Sequence, residues 1–185
     1  LSPFDREWRR WLHDGLVPNT AFAPKPVTHQ AGFAKAAAPA GQGLEVVFRP
    51  DPSVYDGRFA NNGWLQELPK ALTKLTWDNA ALIAPATADR LGLFKGEADE
   101  AFASKAPVVE LKKGDRTLRV PVWLVPGQAP DTLTLHLGYG RERAGRTGTG
   151  TGFNVNVLRT WDSQDVVNGV ELVATGDTYQ LASTQ

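Results

Sequence analysis

Alternating apolar and polar positions dominate the chain after residue 43. They predict short strands at residues 44–49, 108–112, 116–124, 132–137, 154–158, 170–174 and 178–181. The alternation is strictest in 132–137, where three leucines are expected to face a core while two threonines and His136 face away. So many short strands predict a mainly β protein.

Turn and helix signals separate these strands. Gly114 followed by Asp115 predicts a type II′ hairpin between 108–112 and 116–124, and residues 175–177 predict a turn between the last two strands. Pro85 begins one compact helix, which Gly92 ends. With so little helix, a closed β-barrel of about six strands is favoured over a parallel sheet flanked by helices.

The first 43 residues have a different character. Ser2, Pro3 and Asp5 predict a helix start, and Gly15 predicts its end. The apolar residues of this helix share one face, which we expect to pack into a core: Phe4, Trp8, Trp11 and Leu12. Residues 18–43 are rich in proline, glycine and alanine and predict an arm. The predicted division is an N-terminal helix with an arm, 1–43, and a β-barrel domain, 44–185.

Composition excludes several functions for this segment. The 20 basic residues balance the 20 acidic ones, which disfavours binding to nucleic acid. The chain has no cysteine, and its histidines, His13, His29 and His136, are far apart, so neither a metal nor an iron–sulfur centre is expected in it. No apolar run approaches the roughly 20 residues of a membrane-spanning helix. Methionine is absent, even at position 1, so we expect a segment of a longer protein. We expect this segment itself to be soluble and inactive.

Residues 138–152 form the most informative stretch, which we call the glycine-arginine loop. It combines many glycines with Arg141, Arg143 and Arg146 directly after a strand. Its spacing approximates a phosphate-binding P-loop, but arginine replaces the lysine and the following residues are poor helix formers, so nucleotide hydrolysis is not expected. Free backbone N–H groups and guanidinium forks could instead hold an anion or an acidic partner. We expect Tyr139 and Phe153 to anchor the ends of the loop and its middle to be loose.

Residues 82–93, Leu-Ile-Ala-Pro-Ala-Thr-Ala-Asp-Arg-Leu-Gly-Leu, resemble a segment of the C-terminal domain of molybdopterin oxidoreductases. Later features follow in the order found in that family, including Asn156-Val-Leu158, which is similar to its late Asn-x-Leu. The resemblance implies a double-psi β-barrel of the kind that covers a molybdopterin dinucleotide. It implies these candidate cofactor-binding residues: Gly138, Gly140, Arg141, Arg143, Arg146, Asn154 and Asn156.

A closer resemblance concerns residues 55–69, 74–79 and the glycine-arginine loop, which are similar to the large iron–sulfur subunit of alternative complex III. That family oxidises quinol in a membrane-attached complex, and its barrel carries no molybdenum cofactor. The resemblance implies iron–sulfur clusters elsewhere in the parent protein and a location on the periplasmic face of a bacterial inner membrane. The partners it implies are other domains of the parent chain and neighbouring subunits of the complex. Residues 98–107 depart from cofactor-binding barrels as an insertion.

Two interpretations follow from these resemblances. In the first, the chain is a non-catalytic barrel that acts as a scaffold and interaction module of a respiratory iron–sulfur subunit and holds no cofactor itself. In the second, it is a working domain that binds molybdopterin guanine dinucleotide in a molybdenum oxidoreductase. The sequence favours the first.

Overall fold

The computed structural model describes residues 2–29, 43–94 and 105–184. The chain divides into two compact units, Leu1–Ala37 and Ala38–Gln185. In the first unit, helix α1 spans Pro3–Asp14, begins with a capping box between Ser2 and Asp5, and ends at Gly15 in the left-handed conformation. Its start and end are as predicted.

The aromatic face of α1 does not pack into a core, contrary to the prediction. Phe4 and Trp8 stack with ring centroids 6.2 Å apart, and no residue of the helix is buried. Among the described residues of this unit, the aromatic rings contact one another along the helix, as Phe4 also does with Trp11.

The described residues of the second unit form eight strands and three further α-helices. The strands are β1 (Leu44–Arg49), β2 (Leu75–Thr76), β3 (Ala81–Ile83), β4 (Lys105–Lys113), β5 (Arg116–Leu124), β6 (Thr132–His136), β7 (Val166–Gln180) and β8 (Ala182–Ser183). The helices are α2 (Gly63–Glu67), α3 (Pro85–Arg90) and α4 (Gly145–Gly148), and Val155–Leu158 forms a 3-10 helix.

Six strands close into a barrel in the order β1-β6-β3-β5-β4-β7. The pairs β1–β6 and β3–β5 are parallel, and the other four are antiparallel. In chain order, the first three barrel strands are β1, β3 and β4, and the last three are β5, β6 and β7. Exchanging β1 with β5, β3 with β6 and β4 with β7 leaves the barrel order and every pairing direction unchanged. This pseudo-two-fold pattern suits a barrel built from two interlocked halves, so the predicted mainly β barrel fold is confirmed.

The barrel interior is filled by alternating side chains, as the pattern in β6 predicted. Leu133 and Leu135 are fully buried and Leu137 nearly so. Thr134 points to the outer face but is covered by Gln128, whose Nε2 donates to Thr134 Oγ1 at 3.0 Å. A second apolar cluster packs outside the barrel around Leu75, Leu82 and Trp123. Residues on both faces of the sheet are therefore buried.

Two strand predictions near the C-terminus are wrong. Residues 154–158 form no strand, because the side chain of Asn154 accepts from the Asn156 N–H and begins the 3-10 helix instead. Residues 170–174 and 178–181 are not separate strands joined by a turn. Residues up to 180 belong to the single strand β7, in which positive-φ Gly176 lies in a bulge opposite the Pro107–Val109 stretch of β4. The bulge explains why residues 175–177 resemble a turn in sequence.

The other turn and helix predictions are confirmed. Gly114 has φ 59° between β4 and β5 while Asp115 does not have a positive φ, as a type II′ hairpin requires. α3 begins at Pro85, and Gly92 follows it with φ 63°. Of the predicted insertion at 98–107, residues 98–104 lie outside the described residues, and the last three belong to β4.

Candidate functional site

Both ends of the glycine-arginine loop are fixed to the barrel through Asn79. The Asn79 side chain donates to the carbonyls of His136 and Phe153 at 2.9 and 3.0 Å, and its Oδ1 accepts from the Phe153 N–H at 2.8 Å. At the other end, Tyr139 is 2% exposed. The Phe153 ring meets Tyr179 edge-on, with centroids 5.1 Å apart. The prediction that Tyr139 and Phe153 anchor the loop agrees with these contacts.

The middle of the loop is held as well, in contrast to the predicted loose segment. It contains α4, whose Thr147 N–H donates to Asn61 Oδ1 at 3.0 Å. The Gly140 and Gly150 N–H groups donate to the carbonyls of Thr151 and Arg141 at 2.7 and 2.9 Å. The Gly140 and Gly150 bonds connect the two sides of the loop, and the Thr147 bond connects the loop to the segment that contains Asn61. The entropic cost of ordering the glycines is therefore offset within the chain.

Several glycines allow this close packing. A Cβ on Gly57 would collide with the Arg141 side chain, and a Cβ on Gly148 would lie 2.5 Å from the Ala60 carbonyl oxygen. Helix α2 also contacts α4, so residues 55–64 and the glycine-arginine loop form one continuous surface. We call it the loop surface.

Six of the seven predicted site residues line one shallow cavity of about 340 Å³ beside the loop: Gly138, Gly140, Arg141, Arg143, Asn154 and Asn156. Arg146 lies in α4 and does not line it. Asn154 and Asn156 come together through the 3-10 helix rather than along one strand face, with Asn156 Nδ2 donating to Asn154 Oδ1 at 3.2 Å. Asp56 and Glu142 also line the cavity, so its cationic character is partly balanced.

Exposed aromatic side chains also lie on the loop surface. Trp64 is 85% exposed, and Tyr55 and Phe59 are about half exposed. Within the part of the chain that the structure describes, the guanidinium groups of Arg141, Arg143 and Arg146 have no hydrogen-bond or ion-pair partner. Tryptophan, tyrosine and arginine are the side chains most enriched at binding hot spots. The loop surface therefore combines unused donors with uncovered aromatic area.

A buried polar cluster, which the sequence pattern does not predict, lies behind the loop. Lys70 is 4% exposed, and its Nζ donates to the Asp78 carbonyl oxygen and to the Tyr139 hydroxyl, both at 2.9 Å. Asp51 Oδ2 lies 3.7 Å from Lys70 Nζ and 3.8 Å from His136 Nδ1. The other Asp51 oxygen accepts the N–H groups of Ser53 and Val54. The cluster therefore links the segment after β1, the turn before β2 and the start of the loop.

Burial shifts the pKa values of this cluster. Desolvation lowers the pKa of Lys70, against the opposing effects of Asp51 and Asp78. Burial also lowers the pKa of His136 and raises that of Tyr139. It raises the pKa of Asp78 to about 6, although Tyr179 donates to this carboxylate at 2.9 Å. In this cluster, the attraction between a few buried charged groups therefore opposes the cost of burying them.

The raised pKa of Asp78 predicts a specific pH dependence. An unfolded aspartate titrates near 3.8 and the folded one near 6, so folding favours the protonated carboxyl group. The stability that this protonation contributes is complete below the unfolded pKa and is lost as the pH rises through about 6, amounting to about 2–3 kcal/mol. The Asp78→Asn variant has no such group to titrate. The difference in free energy of unfolding, variant minus unchanged chain, should therefore increase by that amount from about pH 4 to about pH 7. Urea unfolding across this range measures it, and a difference that stays constant would contradict the assignment.

No family model matches the chain, and no curated protein matches its sequence. Among solved structures, it is similar to acetylene hydratase from Pelobacter acetylenicus, with a TM-score of 0.44 and 18% sequence identity over 74% of this chain. The chain spans 18% of the length of that protein. The barrel assignment rests on the strand pairings themselves.

Two features of the described residues concern metal binding and membrane crossing. Among these residues, no three His, Cys, Asp or Glu side chains come together in a way that could hold a metal ion. No helix in the described part of the chain is long and apolar enough to cross a membrane.

Proposed function

We propose that this chain is a non-catalytic barrel domain, related to the C-terminal domain of molybdopterin oxidoreductases, that serves as a scaffold and interaction module of a respiratory iron–sulfur subunit. The ordered sequence resemblance and the pseudo-two-fold barrel support the relationship. The subunit would transfer electrons from quinol in a membrane-attached complex, with its iron–sulfur clusters outside this chain.

One observation carries the interaction role: the loop surface presents Tyr55, Phe59 and Trp64 together with three arginines that have no partner among the described residues, while its backbone is already fixed. A fixed backbone reduces the entropy lost on binding. The arginines would bind carboxylates of a neighbouring subunit through paired N–H donors, and Trp64 would insert into an apolar pocket of that subunit. Specificity would come from the spacing of these groups.

The test is the triple replacement of Arg141, Arg143 and Arg146 by alanine in the full respiratory subunit. Assembly of the complex, measured by native electrophoresis of detergent extracts, should fall at least about tenfold, the effect of losing roughly 1.4 kcal/mol or more of binding energy. The melting temperature of this chain should change little, because the three guanidinium groups have no hydrogen-bond or ion-pair partner among the residues that the structure describes. A matched control replaces three cations of the β4–β5 hairpin by alanine: Lys112, Lys113 and Arg119. Unchanged assembly of the loop variant, or equal loss in both variants, would contradict the proposal.

The second candidate is a working dinucleotide-binding domain, and the cavity beside the loop favours it. The cavity fits one anionic group: Arg141 and Arg143 supply planar donors, and glycines remove side chains that would obstruct approach. Its 340 Å³ lies at the lower end of small-molecule pockets, which run from about 300 to 1,000 Å³. In this role the same arginines, with Asn154 and Asn156, would hold the phosphates of a molybdopterin guanine dinucleotide, whose bound metal would supply the redox chemistry.

Calorimetric titration with guanosine diphosphate separates the two candidates. The interaction module is expected to show no saturable binding at the loop. Saturable binding that disappears in the triple arginine variant would favour the dinucleotide-binding domain instead.

A further inference from the structure

A second cavity lies on the outer face of the barrel and belongs to neither candidate function. It measures about 450 Å³, within the range of small-molecule pockets. Its floor contains Leu82, Val125 and Thr134 from neighbouring parts of the sheet, and Lys70–Thr73 form part of its rim. At about 30 Å³ for each water-sized group, the space would hold roughly fifteen of them. A ligand with a short apolar chain and one polar end is of this size.

The walls of this cavity are fixed before any ligand arrives. Arg49 and His136 are partners in the parallel β1–β6 register, so they lie side by side at one end. Pro50 and Pro52 restrict the backbone that follows β1. The Lys70 Nζ bonds to Asp78 and Tyr139 hold the opposite rim in place. Little ordering is therefore needed on binding.

One cation at this cavity is available to a ligand. Arg49 and Lys70 are the charged residues among those that line it, but the buried Asp51 carboxylate lies 3.7 Å from Lys70 Nζ. The donors of Lys70 are directed to groups inside the protein and its charge is balanced by Asp51, so Arg49 supplies the charge that a ligand would meet. Arg49 is exposed, and among the described residues its guanidinium group has no partner. Its planar fork is free to bind a carboxylate with two hydrogen bonds.

We infer that this cavity binds a small monocarboxylate with an apolar body. The carboxylate pairs with the Arg49 guanidinium group, and the imidazole of the neighbouring His136 offers a further polar contact. The apolar chain lies along Leu82 and Val125, where it removes exposed apolar surface from water. This inference is independent of the loop surface, which uses different residues.

The test uses octanoate as the probe, with octylamine as its cationic counterpart. Octanoate should bind the chain saturably in calorimetry and shift the methyl NMR signals of Leu82 and Val125, and octylamine should bind at least about tenfold more weakly. Arg49→Gln should weaken octanoate binding at least about tenfold. The control Arg119→Gln removes an exposed cation elsewhere on the barrel and should change the affinity less than about twofold.

A second variant tests the location without changing charge. Ala71 is exposed on the rim of the cavity, so Ala71→Trp can fill the opening while leaving the barrel core untouched. This variant should lose octanoate binding and keep the melting temperature of the unchanged chain. Three results would overturn the inference: no saturable octanoate binding, equal affinity for octylamine, or full binding by the Ala71→Trp variant.

Discussion

Replacing Lys70→Met is expected to lower the free energy of unfolding by about 3–5 kcal/mol, because it leaves the Asp51 carboxylate buried without its cationic partner. Asp51 is 2% exposed, and its Oδ2 accepts no hydrogen bond in the described part of the chain. Methionine keeps the length of the side chain, so the loss reflects charge and hydrogen bonding more than volume. Urea unfolding monitored by tryptophan fluorescence measures it.

The double variant Asp51→Asn, Lys70→Met isolates the electrostatic part of this loss. Asparagine keeps the Oδ1 acceptor for Ser53 and Val54 but carries no charge, so it should recover a substantial part of the stability. Lys112→Met is the surface control: Lys112 Nζ lies 2.8 Å from Glu110 Oε1 in a partly exposed pair, so its loss should change the stability much less than the loss of the buried cation. A double variant no more stable than the Lys70→Met single variant would show that the charge on Asp51 is not the cause.

Gly140→Ala is expected to destabilise the chain by about 2–5 kcal/mol, whereas Gly150→Ala should cost only about 1–2 kcal/mol. Both glycines have a positive φ, 70° and 77°, so both replacements incur the same backbone strain. A Cβ on Gly140 would also collide with the Asn154 N–H and lie 2.5 Å from the Phe153 carbonyl carbon, while a Cβ on Gly150 meets open space. The difference between the two variants therefore measures the close approach of the loop to the 3-10 helix.

Thermal unfolding of both variants, with the unchanged chain as reference, tests this pair. Equal losses of stability would mean that the loop moves away from Asn154 at no cost. In that case the cavity beside the loop would not be fixed as described.

The sequence predicted the barrel because its strands are specified by local patterns. Leu133 and Leu135 alternate with polar residues, and Gly114 supplies the positive φ that the hairpin needs. The errors arose where a local signal has two structural meanings. Asn154 can extend a strand or cap a helical turn, and Gly176 can form a turn or a bulge. Only the partner strand decides between these conformations.

The site was predictable only in part, for a related reason. The loop arginines and glycines are adjacent in sequence and were found from composition. The buried cluster combines Asp51, Lys70, Tyr139 and Asp78, which are separated by up to 88 positions and carry no motif. Asp51 lies between two prolines and Lys70 follows one, which indicates turns but not that the turns meet. Their meeting depends on the long crossovers of the barrel.

Oxidative footprinting of Trp64 tests the central claim, that the loop surface contacts a neighbouring subunit, most directly. Trp64 and Trp161 are 85% and 87% exposed in this chain, so hydroxyl radicals should oxidise both at similar rates in the isolated chain. In the intact respiratory complex, we expect the oxidation rate of Trp64 to fall at least about fivefold while Trp161, which lies outside the loop surface, serves as the internal reference. Oxidation of Trp64 at the same rate relative to Trp161 in the complex and in the isolated chain would contradict the claim.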